Sequence, residues 1–177
     1  MVTAEEMARA VHAEVASSSL PVYRSLMNER FRVYLVRHGK AERDAPGGDA
    51  ARGLTPEGRA QFFAFAGSLA EKLELSHIVT SPFTRARQTA EILAAATGAS
   101  IAESPQLAPG CSTARDLLAL AHGEGAGVAL VGHNPEMADA VALAAGHGHK
   151  VQPGAVAAVD LSDIGSELAW IEVPEKE

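Results

Sequence analysis

The chain has 177 residues, is 47% hydrophobic and 21% charged, and carries a formal net charge of −7. That length suits one domain with a core able to stand without staples, and the composition is that of an ordinary globular protein. The acidic balance argues against nucleic acid as a partner, and no apolar run approaches the length needed to cross a membrane.

Residues 3–16 read as a helix, with Thr3 and Glu6 as a capping box and Met7, Ala10, Val11 and Val15 at helical spacing. Glu5, Glu6 and Glu14 stand where a signal peptide needs a basic start, which points to the cytoplasm. Ser17-Ser18-Ser19 and Pro21 break this helix, and residues 22–30 form a second, shorter one. The extension carries no chemistry of its own, and His12 within it is read as a surface residue.

The apolar run Val33–Val36 is a buried strand that stops abruptly at Arg37-His38-Gly39. In an open α/β sheet, ligands bind just beyond the carboxyl ends of the strands. Arg37 offers a planar fork of donors that fits phosphate. His38 is a nitrogen nucleophile near neutral pH, and Gly39 lets the backbone turn and approach a ligand closely. A polar loop, 40–53, leads to Leu54-Thr55-Pro56-Glu57-Gly58. Thr55 is the N-cap of the next helix and Pro56 its first residue, with Phe62, Phe65, Ala66, Leu69 and Leu73 facing the core.

His77–Thr80 is the second strand, and Ser81-Pro82 opens a helix that runs to Thr97 and stops at Gly98. Ser100–Ala102 is a short strand, 107–110 a loop, and Leu117, Leu118 and Ala121 mark another helix. Cys111, the only cysteine, rules out an intrachain disulfide and fits a reducing compartment. Gly123, Gly125 and Gly127 precede a strand, whereas a phosphate-cradling glycine loop must follow one, so they are read as a plain loop.

Val128–Val131 is a further strand, ending at Gly132-His133-Asn134-Pro135. Asn134 caps the next helix, Pro135 takes its first position, and the free N–H groups there offer an anion site. His147 and His149 lack a third ligand nearby, so no metal is expected. Ala155–Val159 and Leu168–Val173 form a hairpin turning near Gly165-Ser166. This alternation of strands and helices predicts an α/β fold, with a mixed, largely parallel sheet covered by helices on both faces.

Parallel strands would bring Arg37, His38, Arg85 and His133 to one end of the sheet. Two guanidinium groups, two imidazoles and a helix N-terminus suit a phosphoryl group. A neutral histidine aligned with phosphorus would attack, while the other groups hold the equatorial oxygens. Water would then hydrolyse the phosphohistidine. The arginines supply the positive charge, so no cofactor is required. Arg87 points to another helix face, and Lys40, Arg43 and Arg52 are read as loop charges.

Four segments, Leu35–Gly39, Leu54–Gly58, Ser81–Ala90 and Val131–Asn134, resemble the motifs of the histidine phosphatase superfamily, also called phosphoglycerate mutase-like. The resemblance covers roughly 31–173, so the chain divides into an extension, 1–30, and a histidine phosphatase domain, 31–177. It implies a three-layer α/β/α sandwich, His38 as the phosphorylated nucleophile, and Arg37, Arg85 and His133 as the phosphate pocket, with Asn134 and Gly39 adding substrate contacts. The short span from Arg85 to His133 leaves no room for the cap of the mutases, which resembles the short SixA-type phosphohistidine phosphatases. Glu42, Asp44, Glu103 and Asp116 are candidate proton donors by residue type alone, and Asp44 stands where many mutases carry a phosphate-binding asparagine. The substrate implied is a phosphohistidine protein or a small phosphoester such as a sugar phosphate or nucleotide. A phosphate-reading module without turnover is the alternative of another class. The sequence leaves the oligomeric state open.

Overall fold

A computed structural model describes residues 29–175. The helix expected over 3–16, His12, and all but the last two residues of the helix expected over 22–30 lie outside the described residues. Glu29 and Arg30 are not helical.

The described elements run in the order β1 (Phe31–Arg37), α1 (Pro56–Leu69), β2 (His77–Thr80), α2 (Thr84–Thr97), β3 (Ser100–Glu103), α3 (Ala114–Glu124), β4 (Val128–Gly132), α4 (Glu136–Ala145), β5 (Val156–Ser162) and β6 (Gly165–Glu172). Short 3₁₀ turns occupy Asp49–Ala51 and Pro105–Leu107. One sheet holds the strands in the order β3-β2-β4-β1-β5-β6. The pairs β2–β3, β2–β4 and β1–β4 are parallel, while β1–β5 and β5–β6 are antiparallel. The sheet is therefore mixed and largely parallel, as the element pattern requires.

Successive strand residues point to opposite faces, and here both faces are covered. On one side Val33, Leu35, Leu130 and Val159 pack against Leu117 and Ala121 of α3 and Met137 and Val141 of α4. On the other, Tyr34, Val36, Ile78 and Val131 pack against Phe62, Ala66 and Leu69 of α1 and Ala86, Ala90 and Leu93 of α2. This is why Val33–Val36 is uniformly apolar: alternate residues serve two cores. Each such buried aliphatic side chain contributes roughly 1.5–3 kcal/mol.

Helix boundaries follow local chemistry. Thr55 caps α1, its Oγ1 accepting the Gly58 N–H at 2.9 Å, and Pro56 starts the helix. Gly98 ends α2 in the left-handed conformation. Thr113 and Asp116 form a capping box on α3, and the helix extends through Gly123, so only the rest of that glycine stretch is loop. Two starts differ from the sequence reading. The first is α2, which begins at Thr84 rather than at Ser81-Pro82, because the Ser81 hydroxyl accepts the Phe83 N–H in a turn that precedes the helix. The second is α4, which begins at Glu136 without a side-chain cap, because the Asn134 amide donates to the Val151 carbonyl instead. The hairpin turns at Asp163-Ile164, ahead of Gly165-Ser166, since both strands are longer than their apolar segments suggest.

The backbone leaving β1 is pressed against α1. Thr55 donates its N–H to the Lys40 carbonyl at 2.9 Å, and a Cβ added at Gly58 would lie 2.3 Å from that same oxygen. No side chain fits there without moving the segment that follows His38. Gly58→Ala is therefore expected to destabilise the protein by about 1–3 kcal/mol, read as a lower urea midpoint. An unchanged midpoint would mean that α1 does not dock on Lys40.

Candidate functional site

Four backbone hydrogen bonds at the end of the sheet set the positions of the site residues. His38 donates its N–H to Gly132 O and Ser81 to Val131 O, while Arg37 donates to Ala155 O and receives Gly154 N–H on its own carbonyl. The last residue of β1, Arg37, is in register with Gly132 of β4, so His38 and His133 emerge side by side. Their ring centroids are 5.0 Å apart.

Arg85 arrives from the first turn of α2. It is 5% exposed, and its Nε donates to His38 Nε2 at 3.2 Å. Its guanidinium carbon lies 5.1 Å from the centre of the Phe83 ring. Arg37 reaches the same region, its Nη1 donating to Val151 O at 2.8 Å and its buried Nε left without a partner among the described residues. The structure thus brings Arg37, His38, Arg85 and His133 to one end of the sheet.

The two histidines are both held neutral. His38 Nδ1 lies 2.8 Å from its neighbour's carbonyl, Gly39 O, which can only accept. Nδ1 therefore carries the proton and Nε2 presents its lone pair, the form that accepts from Arg85 and that can attack phosphorus. Burial, reinforced by Arg85 and Arg37, lowers the His38 pKa to about 4 despite the opposing pull of the Gly39 carbonyl. Burial, then the neighbouring His38 and Arg85, lower that of His133 to about 3. Burial also lowers Arg37 from its ordinary value.

Asn134 and Gly39, expected to contact substrate, both lie beside the cluster and make these contacts within the protein. Asn134 shares the Val151 carbonyl with Arg37, its Nδ2 donating at 3.1 Å, while its Oδ1 is buried and unpartnered among the described residues. At the start of α4 the Met137 N–H donates to His133 O and the Asp139 N–H to Pro135 O. Gly39 is buried behind His38. Its N–H donates to Thr89 Oγ1 at 3.0 Å, and an added Cβ would press on Leu54. What it offers the site is the carbonyl that orients His38.

The acidic residues sort clearly. Asp116 is spent on its capping box and Glu103 pairs with Arg87 at 3.3 Å. Glu42 and Asp44 are exposed, and no hydrogen bond or ion pair links either carboxylate to the four-residue cluster. The carboxylate that does reach the cluster is Asp49, which the sequence reading passed over. Its main-chain oxygen accepts from Arg85 Nη1 at 2.7 Å and its Oδ2 from Nη2 at 3.1 Å. Hydrogen bonds from Arg52 and then Arg85 hold the Asp49 carboxyl below the usual range, so it is an anion and not a proton donor at neutral pH. The spacing of Asp49 and Arg52 on one 3₁₀ turn was the only available signal. Ser81 and Val151 O were also missed, the latter because a main-chain oxygen has no signature in sequence. The His147 and His149 rings lie tilted with centroids 4.5 Å apart, and no third ligating side chain joins them among the described residues.

Among the described residues no helix is long and apolar enough to cross a membrane. Residues 33–109 match the family model described as "Histidine phosphatase superfamily (branch 1)". An uncharacterized protein of Picosynechococcus is 41% identical over 128 residues, which cover 66% of this chain and 76% of the relative. A probable phosphoglycerate mutase GpmB of Klebsiella pneumoniae is 39% identical over 79 residues, 43% of this chain, and the match spans only 36% of the relative's length. Among solved structures, the protein histidine phosphatase SixA complexed with tungstate aligns with a TM-score of 0.71 and 28% identity, covering 81% of this chain and 97% of that one.

Two outcomes follow from this geometry. Asp49 accepts one hydrogen bond from each terminal nitrogen of Arg85, so it competes with an incoming phosphate for that guanidinium. Asp49→Asn should tighten binding of inorganic phosphate about two- to fivefold by calorimetry, the scale of an exposed ion pair. Weaker binding would mean that Asp49 positions Arg85 rather than competing for it. Secondly, the His38 ring should titrate by NMR with a midpoint near pH 4. Since the unfolded chain takes up that proton near pH 6.5, stability should be full above 6.5 and fall as the pH drops towards 4. A midpoint near 6.5 would contradict the burial argument.

Proposed function

Because this chain belongs to the histidine phosphatase superfamily, we propose that it is a phosphatase that works through a phosphohistidine on His38. The observation that carries this reading is the His38 side chain itself. Its Nδ1–H is tied to Gly39 O, and its Nε2 lone pair faces Arg85.

In the proposed reaction the phosphoryl group enters between the two arginines and displaces Asp49 from Arg85. His38 Nε2 attacks phosphorus, the new N–P bond forms, and the bond to the leaving group breaks on the opposite side. Positive charge that develops on the His38 ring is shared with the Gly39 carbonyl through Nδ1–H. Arg37, Arg85 and His133 hold the three equatorial oxygens, and each positioned donor of this kind is typically worth about 10²–10³ in rate. Water then attacks phosphorus, frees inorganic phosphate and returns Nε2 to its unprotonated state. The arginines supply the cationic charge of the pocket, so no metal enters the scheme.

The favoured substrate is a phosphohistidine carried on a protein. Between Arg85 and His133 the chain holds only the rest of α2, β3, one 3₁₀ turn and α3 before entering β4. That span holds no insertion long enough to form a cap, which supports access by a large partner. Cleaving a P–N bond to imidazole also makes a weaker demand for a dedicated acid, and Asp49, the carboxylate bound to Arg85, is an anion. The likeness to the protein histidine phosphatase SixA supports the same reading. The partial likeness to a probable phosphoglycerate mutase supports a second one, a small phosphoester.

Acid-quenched labelling should trap phosphate on His38, and His38→Ala should lose both label and turnover. A panel of a phosphohistidine carrier protein, sugar phosphates and nucleotides should show turnover fastest on the carrier. Preference for a phosphoester would establish the second reading. Binding of phosphate without turnover of any member would leave a phosphate-reading module.

A further inference from the structure

Ser81 is fully buried, one residue beyond β2, and its Oγ lies 2.8 Å from Nε2 of His133, one residue beyond β4. Thr80 pairs with Val131 and the Ser81 N–H donates to Val131 O, so Ser81 leaves β2 beside Gly132, one residue before His133. His133 is itself 3% exposed, and its Nδ1 is buried without a partner among the described residues.

The direction of the Ser81–His133 hydrogen bond can be worked out from the serine. Its oxygen already accepts the Phe83 N–H at 3.2 Å. Its own O–H is buried and needs an acceptor, and His133 Nε2 is the one within reach among the described residues. If Nε2 carried the proton instead, the serine would accept twice and its hydroxyl hydrogen would be stranded. Nδ1 would then be an unpaired acceptor as well, so that form leaves two buried groups unpaired, whereas the Nδ1–H form leaves only one. The neutral ring therefore accepts at Nε2 and carries its hydrogen on Nδ1.

We infer that Ser81 is a positioning residue that fixes His133 as the Nδ1–H tautomer, turning its free nitrogen into a hydrogen-bond donor for a phosphoryl oxygen. The two histidines of the site thus share a tautomer for different reasons and to opposite ends. A backbone carbonyl holds the proton on Nδ1 of His38, which leaves Nε2 free to attack. A serine hydroxyl holds Nε2 of His133 as acceptor, which leaves Nδ1–H free to donate. With the other tautomer His133 would turn a lone pair towards the anion and repel it. The use of the Nδ1–H proton rests on the phosphoryl-transfer reading above, whereas the tautomer itself does not.

The direct test is a long-range ¹H–¹⁵N correlation spectrum of the full chain, labelled at histidine and recorded near pH 7. His133 should show a protonated Nδ1 and a bare Nε2. The reverse pattern in the wild-type protein would overturn the inference without any variant. Ser81→Ala should shift His133 towards the Nε2–H form and slow labelling of His38 by about tenfold or more, while Ser81→Thr, which keeps the hydroxyl, should restore both. If Ser81→Ala folds and leaves the His133 tautomer unchanged, Ser81 does not set it. If the spectrum is as expected but no phosphate reaches His38, the phosphatase reading fails and the tautomer assignment stands.

Discussion

Everything in this site depends on the parallel pairing of β1 with β4, which sets Arg37 opposite Gly132 and so places His38 beside His133. The pairing of β4 with β2 repeats the arrangement one strand over, bringing Ser81 alongside. A slip of one residue would turn each strand's side chains to the other face. Such a slip is expensive because both faces of β1 are buried, Val33 and Leu35 in one core and Tyr34 and Val36 in the other. The two hydrophobic cores therefore do more than stabilise the fold. They fix the register, and the register fixes the chemistry.

The electrostatics of the site run against those of the molecule. A chain with a net charge of −7 gathers two arginines and two histidines at one end of its sheet. Packing four cations together would be costly, and the structure avoids it by keeping both imidazoles neutral, with pKa values near 4 and 3. Burial does most of this, and the arginines add to it. The same two effects that suppress protonation also make His38 a nucleophile at neutral pH. Asp49 completes the balance, lending Arg85 a carboxylate that a bound anion would replace.

Much of this was legible in the sequence, for physical reasons. The apolar runs ending in Arg37-His38-Gly39 and Gly132-His133 mark strands whose carboxyl ends must converge in a parallel sheet. Thr55-Pro56 and Gly98 mark helix ends through side-chain capping and backbone conformation, and they were read correctly. Asn134-Pro135 carries an equally strong helix-start signal, and it misled. The Asn134 amide is drawn to the Val151 carbonyl, a tertiary contact that no local pattern reveals. Ser81 misled in the same way, since its hydroxyl holds a turn and a histidine rather than the first turn of α2. Asp49 was hard to read because it lies on a short 3₁₀ turn without hydrophobic periodicity, and its importance comes from folding back on Arg85. Local rules located the elements, and the groups that tune the site are tertiary.

The central claim is that a tetrahedral anion belongs between these four side chains, with phosphorus in line with His38 Nε2. A crystal structure of the protein soaked with vanadate tests it most directly. The account predicts vanadium bonded to His38 Nε2, its equatorial oxygens held by Arg37, Arg85 and the Nδ1–H of His133, and Asp49 released from Arg85. Vanadate bound elsewhere, or held by the arginines with His38 Nε2 turned away from the metal, would contradict it.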